Sequence, residues 1–175
     1  MEKITSFTLK NGVRGIKAEG IPRLNIFKTF DCGQCFRFDP VSLFGNKYEF
    51  GGVAFGKYVV FGQGSDNEIY IYNTTEDEYH TVWRRFLSLD VDYDTIDSHI
   101  ISTLKSEHME AACRLSQGIR ILRQDGWEAI CSFIISQNNN IPRIKKIIGA
   151  LCEKYGRSVC FLGETYYTFP TYERL

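Results

Sequence analysis

NKYEFGGVAFGKYVVFGQGSDNEIYIYN, Asn46 to Asn73, holds three runs rich in Tyr, Val, Phe and Ile, punctuated by Gly, Ser, Asp and Asn. Aromatic and β-branched side chains suit a pleated, half-buried backbone, and the small polar residues between them supply turns. The runs, Tyr48–Phe55, Tyr58–Gln63 and Glu68–Asn73, predict an antiparallel meander. Gly51 and Gly52 inside the first run predict a bulge. Ahead of the meander, PRLNIFKTF (22–30) predicts a short helix and CFRF (35–38) a further strand.

Beyond Asn73 the period changes. Thr75 with Glu78 fits a capping box, and Tyr79, Val82, Trp83 and Phe86 recur at helical spacing. Further helices are predicted over YDTIDSHIIS and SEHMEAACRLS. Asp125 with Glu128 opens another, GWEAICSFIIS, apolar on most sides and therefore expected to be buried. After the polar stretch SQNNN comes PRIKKIIGALCEKYG, where Ile144, Ile148, Leu151 and Tyr155 form an apolar stripe. Pro142 suits a first helical turn and Gly156 the residue just past the end.

The chain has 175 residues, 43% apolar and 14% aromatic, enough for a real core in one domain or two small ones. Net charge is zero, so no basic whole-protein field points to nucleic acid. The charge is nevertheless uneven: Glu76 to Glu110 carries three basic and nine acidic residues, net −6, whereas Arg114 to Arg157 carries eight and three, net +5. The basic block is either a solvated surface or a phosphate-binding face. No apolar run reaches the ~18 residues of a membrane span, and the N-terminus lacks a signal-peptide core. The six cysteines are scattered, which suits a reduced, intracellular protein better than a disulfide framework.

Two stretches could carry chemistry. In DCGQCF, Asp31 to Phe36, Cys32 and Cys35 form a CxxC. A redox role wants that pair at a helix start after a buried strand, and zinc wants a second ligand pair; the sequence supplies neither context. The pair is expected to be structural and metal-free. Gly33 between the cysteines lets its backbone come close to a ligand, or simply makes a helix-to-strand turn. In SQNNNIPRIKK, Asn138, Asn139, Asn140 and Arg143 carry donors and acceptors suited to the edge of an unpaired base, and Lys145 and Lys146 add charge near a helix start. Basic residues there oppose the helix dipole, which suggests that they serve a ligand. The plainer alternative is a polar turn between helices with solvated charges.

GQCFRF, RILRQDGWEAICSFIISQNNNIPRIKKIIGALCEKYG and YYTFP together resemble the 8-oxoguanine DNA glycosylase family, of the helix-hairpin-helix glycosylase superfamily. The resemblance covers nearly the whole chain. It implies an α+β fold: an N-terminal antiparallel sheet domain with flanking helices, similar to the TATA-binding protein's repeat, over residues 1–116, then part of an all-α domain over 117–175. It implies a partner, double-stranded DNA containing 8-oxoguanine, with the damaged nucleotide extruded from the stack. No cofactor, metal or membrane contact is expected.

Carried over residue by residue, the resemblance gives Gly33 the carbonyl that accepts the N7 proton of 8-oxoguanine, a proton that guanine lacks. It places Asn138 in the space left by the flipped base and Arg143 against the widowed cytosine. Asn139 and Asn140 belong to the same DNA-binding motif. The family's catalytic hairpin, with the lysine that forms a Schiff base and the aspartate that follows it, is expected beyond Leu175. On this reading the parent is a DNA N-glycosylase and lyase, and the 175 residues alone are inactive, with an incompletely ordered tail after Gly156. The alternative is a non-catalytic DNA-binding or scaffold module of similar fold.

Overall fold

The computed structural model describes residues 2–65 and 67–175. A six-stranded antiparallel sheet forms its centre: β1 (Lys3–Thr8), β2 (Arg14–Glu19), β3 (Phe38–Pro40), β4 (Tyr48–Ala54), β5 (Lys57–Gln63) and β6 (Glu68–Tyr72). The spatial order is β1-β2-β6-β5-β4-β3. The three runs of the meander are therefore neighbours, as expected, and β2 closes against β6 through Ile16 opposite Ile71. The strand expected over 35–38 begins only at Phe38.

No bulge forms at Gly51 and Gly52; the register passes through them without a break, Gly51 opposite Val60 and Gly52 opposite Val59. The glycines answer a packing demand instead. A β-carbon on Gly51 would collide with the Tyr58 hydroxyl, and one on Gly52 would strike the Arg37 carbonyl and lie 2.8 Å from the Phe38 ring.

Strict alternation gives the sheet two working faces. Val59, Phe61, Ile69 and Ile71 point to one side, where they meet Ile26 and Phe30 of α1 (Ile26–Phe30) and the helical stretch that follows β6. That stretch opens with the expected box, Thr75 and Glu78 bonding each other's backbone N–H. It runs as α2 (Glu76–Glu78), a π-helical turn over Tyr79–Trp83 and α3 (Arg84–Phe86). The widened turn, closed by Arg84 N–H donating to Tyr79 O, keeps Tyr79, Trp83 and Phe86 all on the core side. Phe30 stacks on Phe50 and Phe61 at centroid distances of 5.4 and 5.3 Å, so the core is largely aromatic.

The opposite face carries Val53, Tyr58, Val60 and Tyr72. It is covered by a hairpin absent from the sequence expectations, β7 (Ser158–Phe161) and β8 (Glu164–Tyr167). Tyr166 stacks on Tyr58 at 3.9 Å and Phe161 on Tyr58 at 5.1 Å. The segment after Gly156 is thus built into the sheet's second layer, not left loose. Gly156 stands where expected but not for a left-handed cap: its φ is −73°, and a β-carbon would run into the Thr168 carbonyl.

The remaining helices are α4 (Tyr93–Leu104), α5 (Glu107–Ser116), α6 (Gly126–Ser136) and α7 (Ile141–Tyr155). Asp92, Asp125 and Asn140 cap α4, α6 and α7 with side-chain oxygens. Two expectations fail here. Helix α6 is not buried: Ile130, Phe133 and Ile134 are 59%, 68% and 65% exposed, because only its α7-facing side is covered within the described residues. The buried stripe of α7 is Ile144, Ile148 and Cys152, with Leu151 and Tyr155 half-buried beside it. A strict i, i+4 row faces Phe36, Tyr167 and Phe169, so the polarisable thiol takes the place given to Leu151.

Candidate nucleic-acid interface

The two sequence motifs meet in space. Gly33 sits in the turn after α1 with φ at +81°, a conformation that side chains disfavour. The nearest neighbour a β-carbon there would find is Ile141 Cδ1, at 4.0 Å, at the start of α7. The Gly33 turn and the asparagine turn therefore border one another. Gly33 is exposed, and among the described residues no hydrogen-bond donor reaches its carbonyl.

The three asparagines divide into separate tasks. Asn140 is the N-cap of α7; its side-chain oxygen accepts from Arg143 N–H at 3.0 Å. Asn139 folds back, its amide donating to Ile135 O at 2.7 Å and closing the end of α6. Asn138 has φ at +55°, a left-handed conformation that asparagine tolerates better than most residues. Its side chain is exposed and bonds to no described group. Of the three side chains, only that of Asn138 is without a hydrogen bond among the described residues, while Asn139 and Asn140 set the turn that holds it outward.

The cationic residues divide similarly. Arg143 and Lys146 are exposed and form no ion pair among the described residues. Lys145 is different: its ammonium is 2.6 Å from Asp39 and also donates to Phe38 O. Asp39, on β3, thus offsets part of the positive charge at a helix whose first turn has no acidic residue. The set of free N–H groups that a helix start offers an anion is also reduced, since Pro142 has none and that of Arg143 goes to the cap. The cations left unpaired at this helix start, among the described residues, are Arg143 and Lys146.

Residues that the sequence reading quoted without assigning them roles hold the two turns together. Arg37 donates to Cys152 Sγ at 2.8 Å and to Tyr167 O at 2.6 Å, tying the Gly33 segment to α7 and β8. Gln34 bonds three backbone groups with its side chain. Arg120 is 1% exposed and donates to Arg23 O, Ser88 O and Val91 O, with its guanidinium 4.5 Å above the Tyr93 ring. A buried arginine that serves only backbone carbonyls leaves no mark in a linear sequence.

Burial disfavours the thiolate form at Cys35 and Cys152. Burial pushes the Cys35 thiol up to about 11, against weaker opposing effects from the Arg37 backbone and side chain. Burial likewise raises Cys152 despite the Arg37 guanidinium beside it, and all six cysteines are free. Glu128, at the start of α6, is also pushed up by burial, which the Arg37 charge only partly opposes. It lies on a separate cleft of about 410 Å³ between the β4–β5 turn, α6 and the chain's last residues.

A six-stranded antiparallel sheet braced by helices carries a backbone carbonyl beside a turn whose Asn138 amide and Arg143 and Lys146 cations are unpaired among the described residues, groups chemically suited to hydrogen-bonding a base and attracting phosphate. The sequence matches the family described as "8-oxoguanine DNA glycosylase, N-terminal domain" over residues 18–130, and the chain belongs to that family. It is 35% identical over 124 residues to the N-glycosylase/DNA lyase of Saccharomyces cerevisiae, a match covering 67% of this chain and 32% of the yeast protein. The apo crystal structure of the Clostridium acetobutylicum 8-oxoguanine glycosylase/lyase superposes with a TM-score of 0.85 at 33% identity, covering 98% of this chain and 55% of that one. The same bacterial enzyme with double-stranded DNA containing cytosine opposite 8-oxoguanine gives 0.85 at 34% identity, covering 99% of this chain and 55% of that one. The chain thus spans about a third of the curated relative and just over half of the solved ones. No described helix is long and apolar enough to cross a membrane.

Proposed function

We propose that this chain is the lesion-reading part of an 8-oxoguanine DNA glycosylase and lyase that acts on double-stranded DNA inside the cell. The observation that carries the reading is the place of Gly33 beside Ile141, where an added β-carbon would lie 4.0 Å from the Ile141 δ-carbon, so that a carbonyl without a donor among the described residues stands near the Asn138 turn. An extruded 8-oxoguanine would offer its N7–H to the Gly33 carbonyl. Guanine offers a bare N7 there and leaves two acceptors facing each other, at a cost of about 1–3 kcal/mol. Asn138 would enter the vacated stack, and the Arg143 fork would hold the orphaned cytosine.

In this proposal residues 117–175 begin a helical domain that lies over the sheet domain of 1–116, and the bond-breaking groups come from elsewhere in the parent enzyme. Lys28 and Lys145, on the helices that flank the Gly33 turn, are both engaged: Lys28 donates to Leu115 O and Gln117 O, and Lys145 pairs with Asp39. Neither is free to attack a sugar carbon. The test is a binding and single-turnover assay with the 175-residue chain on duplexes carrying 8-oxoguanine or guanine opposite cytosine. Preferential binding of the lesion, without excision or borohydride trapping, is the expected result. Equal binding of both duplexes overturns the Gly33 reading, and robust excision overturns the inactivity of this chain.

A further inference from the structure

We infer that Gln34 sets where the Gly33 carbonyl points, and so governs how well the chain separates oxidised from intact guanine; the inference rests on the function proposed for Gly33. The carbonyl of Gly33 shares a rigid peptide plane with the nitrogen and α-carbon of Gln34. Whatever fixes Gln34 therefore aims that oxygen. Among the described residues Gly33 has no hydrogen bond of its own to hold it, and its left-handed backbone has the freedom of glycine.

Gln34 is fixed from both ends of its amide. Nε2 donates to Thr29 O at 2.9 Å and to Arg120 O at 2.8 Å, while Oε1 accepts from Leu122 N–H at 2.9 Å. The carbonyl of Arg120 and the N–H of Leu122 are the pair that one residue of a parallel neighbouring strand would bond, so the side chain acts as a missing strand neighbour. The main-chain carbonyl of Gln34 accepts from Gln124 Nε2 at 2.7 Å. Residues 120–124 then run directly into Asp125, the N-cap of α6, whose far end carries the Asn138 turn. One segment braces both the base acceptor and the group that fills the stack. Only an amide meets this demand, because the site needs a donor towards two carbonyls and an acceptor towards one N–H.

The test compares wild type with Gln34→Glu and Gln34→Met in fluorescence anisotropy at low salt, using duplexes with 8-oxoguanine or guanine opposite cytosine. Gln34→Glu keeps the shape but turns a carboxylate oxygen towards the Thr29 and Arg120 carbonyls. The preference for the lesion is expected to fall about three- to tenfold, the scale of one lost hydrogen bond. Affinity for the undamaged duplex, supplied by phosphate contacts, should stay within about twofold. Thermal melting reports whether each variant is folded. Gln124→Ala, which removes only the bond to the Gln34 carbonyl, carries the test if both Gln34 variants unfold, with a smaller drop in the same direction. A lesion preference that survives in the folded variants overturns the role of Gln34 and leaves that of Gly33 standing. Parallel loss of affinity for both duplexes also overturns it, since that is the mark of general destabilisation. Wild-type chain that binds both duplexes alike removes the Gly33 reading and this inference with it.

Discussion

Gly33 lies beside Ile141: a methyl group on Gly33 would rest 4.0 Å from the Ile141 δ-carbon. This proximity brings the two motifs together, and it sets what a substitution would do. Gly33→Ala has room for its methyl, so the cost is backbone strain at φ +81°, about 1–2 kcal/mol. Gly156→Ala has no room, because the Thr168 carbonyl occupies the place of the new methyl. Urea unfolding should show the second variant as the less stable, while lesion preference should be lost only in the first.

The asparagines should separate by measurement. Asn140→Ala removes the α7 cap and should lower stability by about 0.5–2 kcal/mol. Asn138→Gly keeps the left-handed turn available but deletes the exposed amide, so the melting temperature should hold while affinity for a lesion duplex falls. If Asn138→Gly binds the lesion duplex like wild type, Asn138 does not enter the stack.

Arg143→Ala and Lys145→Ala should differ although the residues are two apart. Arg143 is exposed without an ion pair among the described residues, so its loss should spare stability and relax the preference for cytosine opposite the lesion by about 1–3 kcal/mol. Lys145 pairs with Asp39, and its loss should cost at most about 1 kcal/mol of stability with little change in base preference. Titrations against duplexes with each of the four opposing bases check both expectations.

Acid should loosen the β3–β4 loop first. Glu49 is 4% exposed, and burial would raise its pKa, but N–H groups of Leu43, Asn46 and Phe44 and the Asn46 amide outweigh that and hold it below 4.5. A carboxyl depressed by folding contributes stability above its unfolded pKa, and that contribution fades as pH falls through the folded value. Wild type should therefore lose stability below about pH 4.5 more steeply than Glu49→Gln, which should be less stable at neutral pH. Equal slopes in acid denaturation would remove Glu49 from this account.

Zinc should be absent from purified, tag-free protein. Among the described residues no three His, Cys, Asp or Glu side chains gather into a ligand set, and burial disfavours the Cys35 thiolate. Stoichiometric zinc that disappears in a Cys32→Ser, Cys35→Ser variant would contradict this.

The sequence by itself determined what local rules control. Alternation of Tyr, Val and Ile marked β4, β5 and β6, and Thr75, Asp125 and Pro142 announced three helix starts, because side-chain period and helix-end chemistry act within a few residues. The resemblance carried by GQCFRF and the asparagine turn pointed to the family that the match over 18–130 establishes. Tertiary structure decided what depends on neighbours distant in the chain. Gly51 and Gly52 looked like a bulge because a sequence cannot show that Tyr58 and Arg37 press against them. Helix α6 looked buried because apolar content does not say whether a partner covers it. The β7–β8 hairpin is short and weakly patterned, and it is held by Tyr166 stacking on Tyr58. The division of labour at the interface belongs to the same class. Asn138 is free while Asn139 and Asn140 are bound, and Arg143 is free while Lys145 is paired, because the partners that decide this, from Ile135 to Asp39, are brought there only by folding.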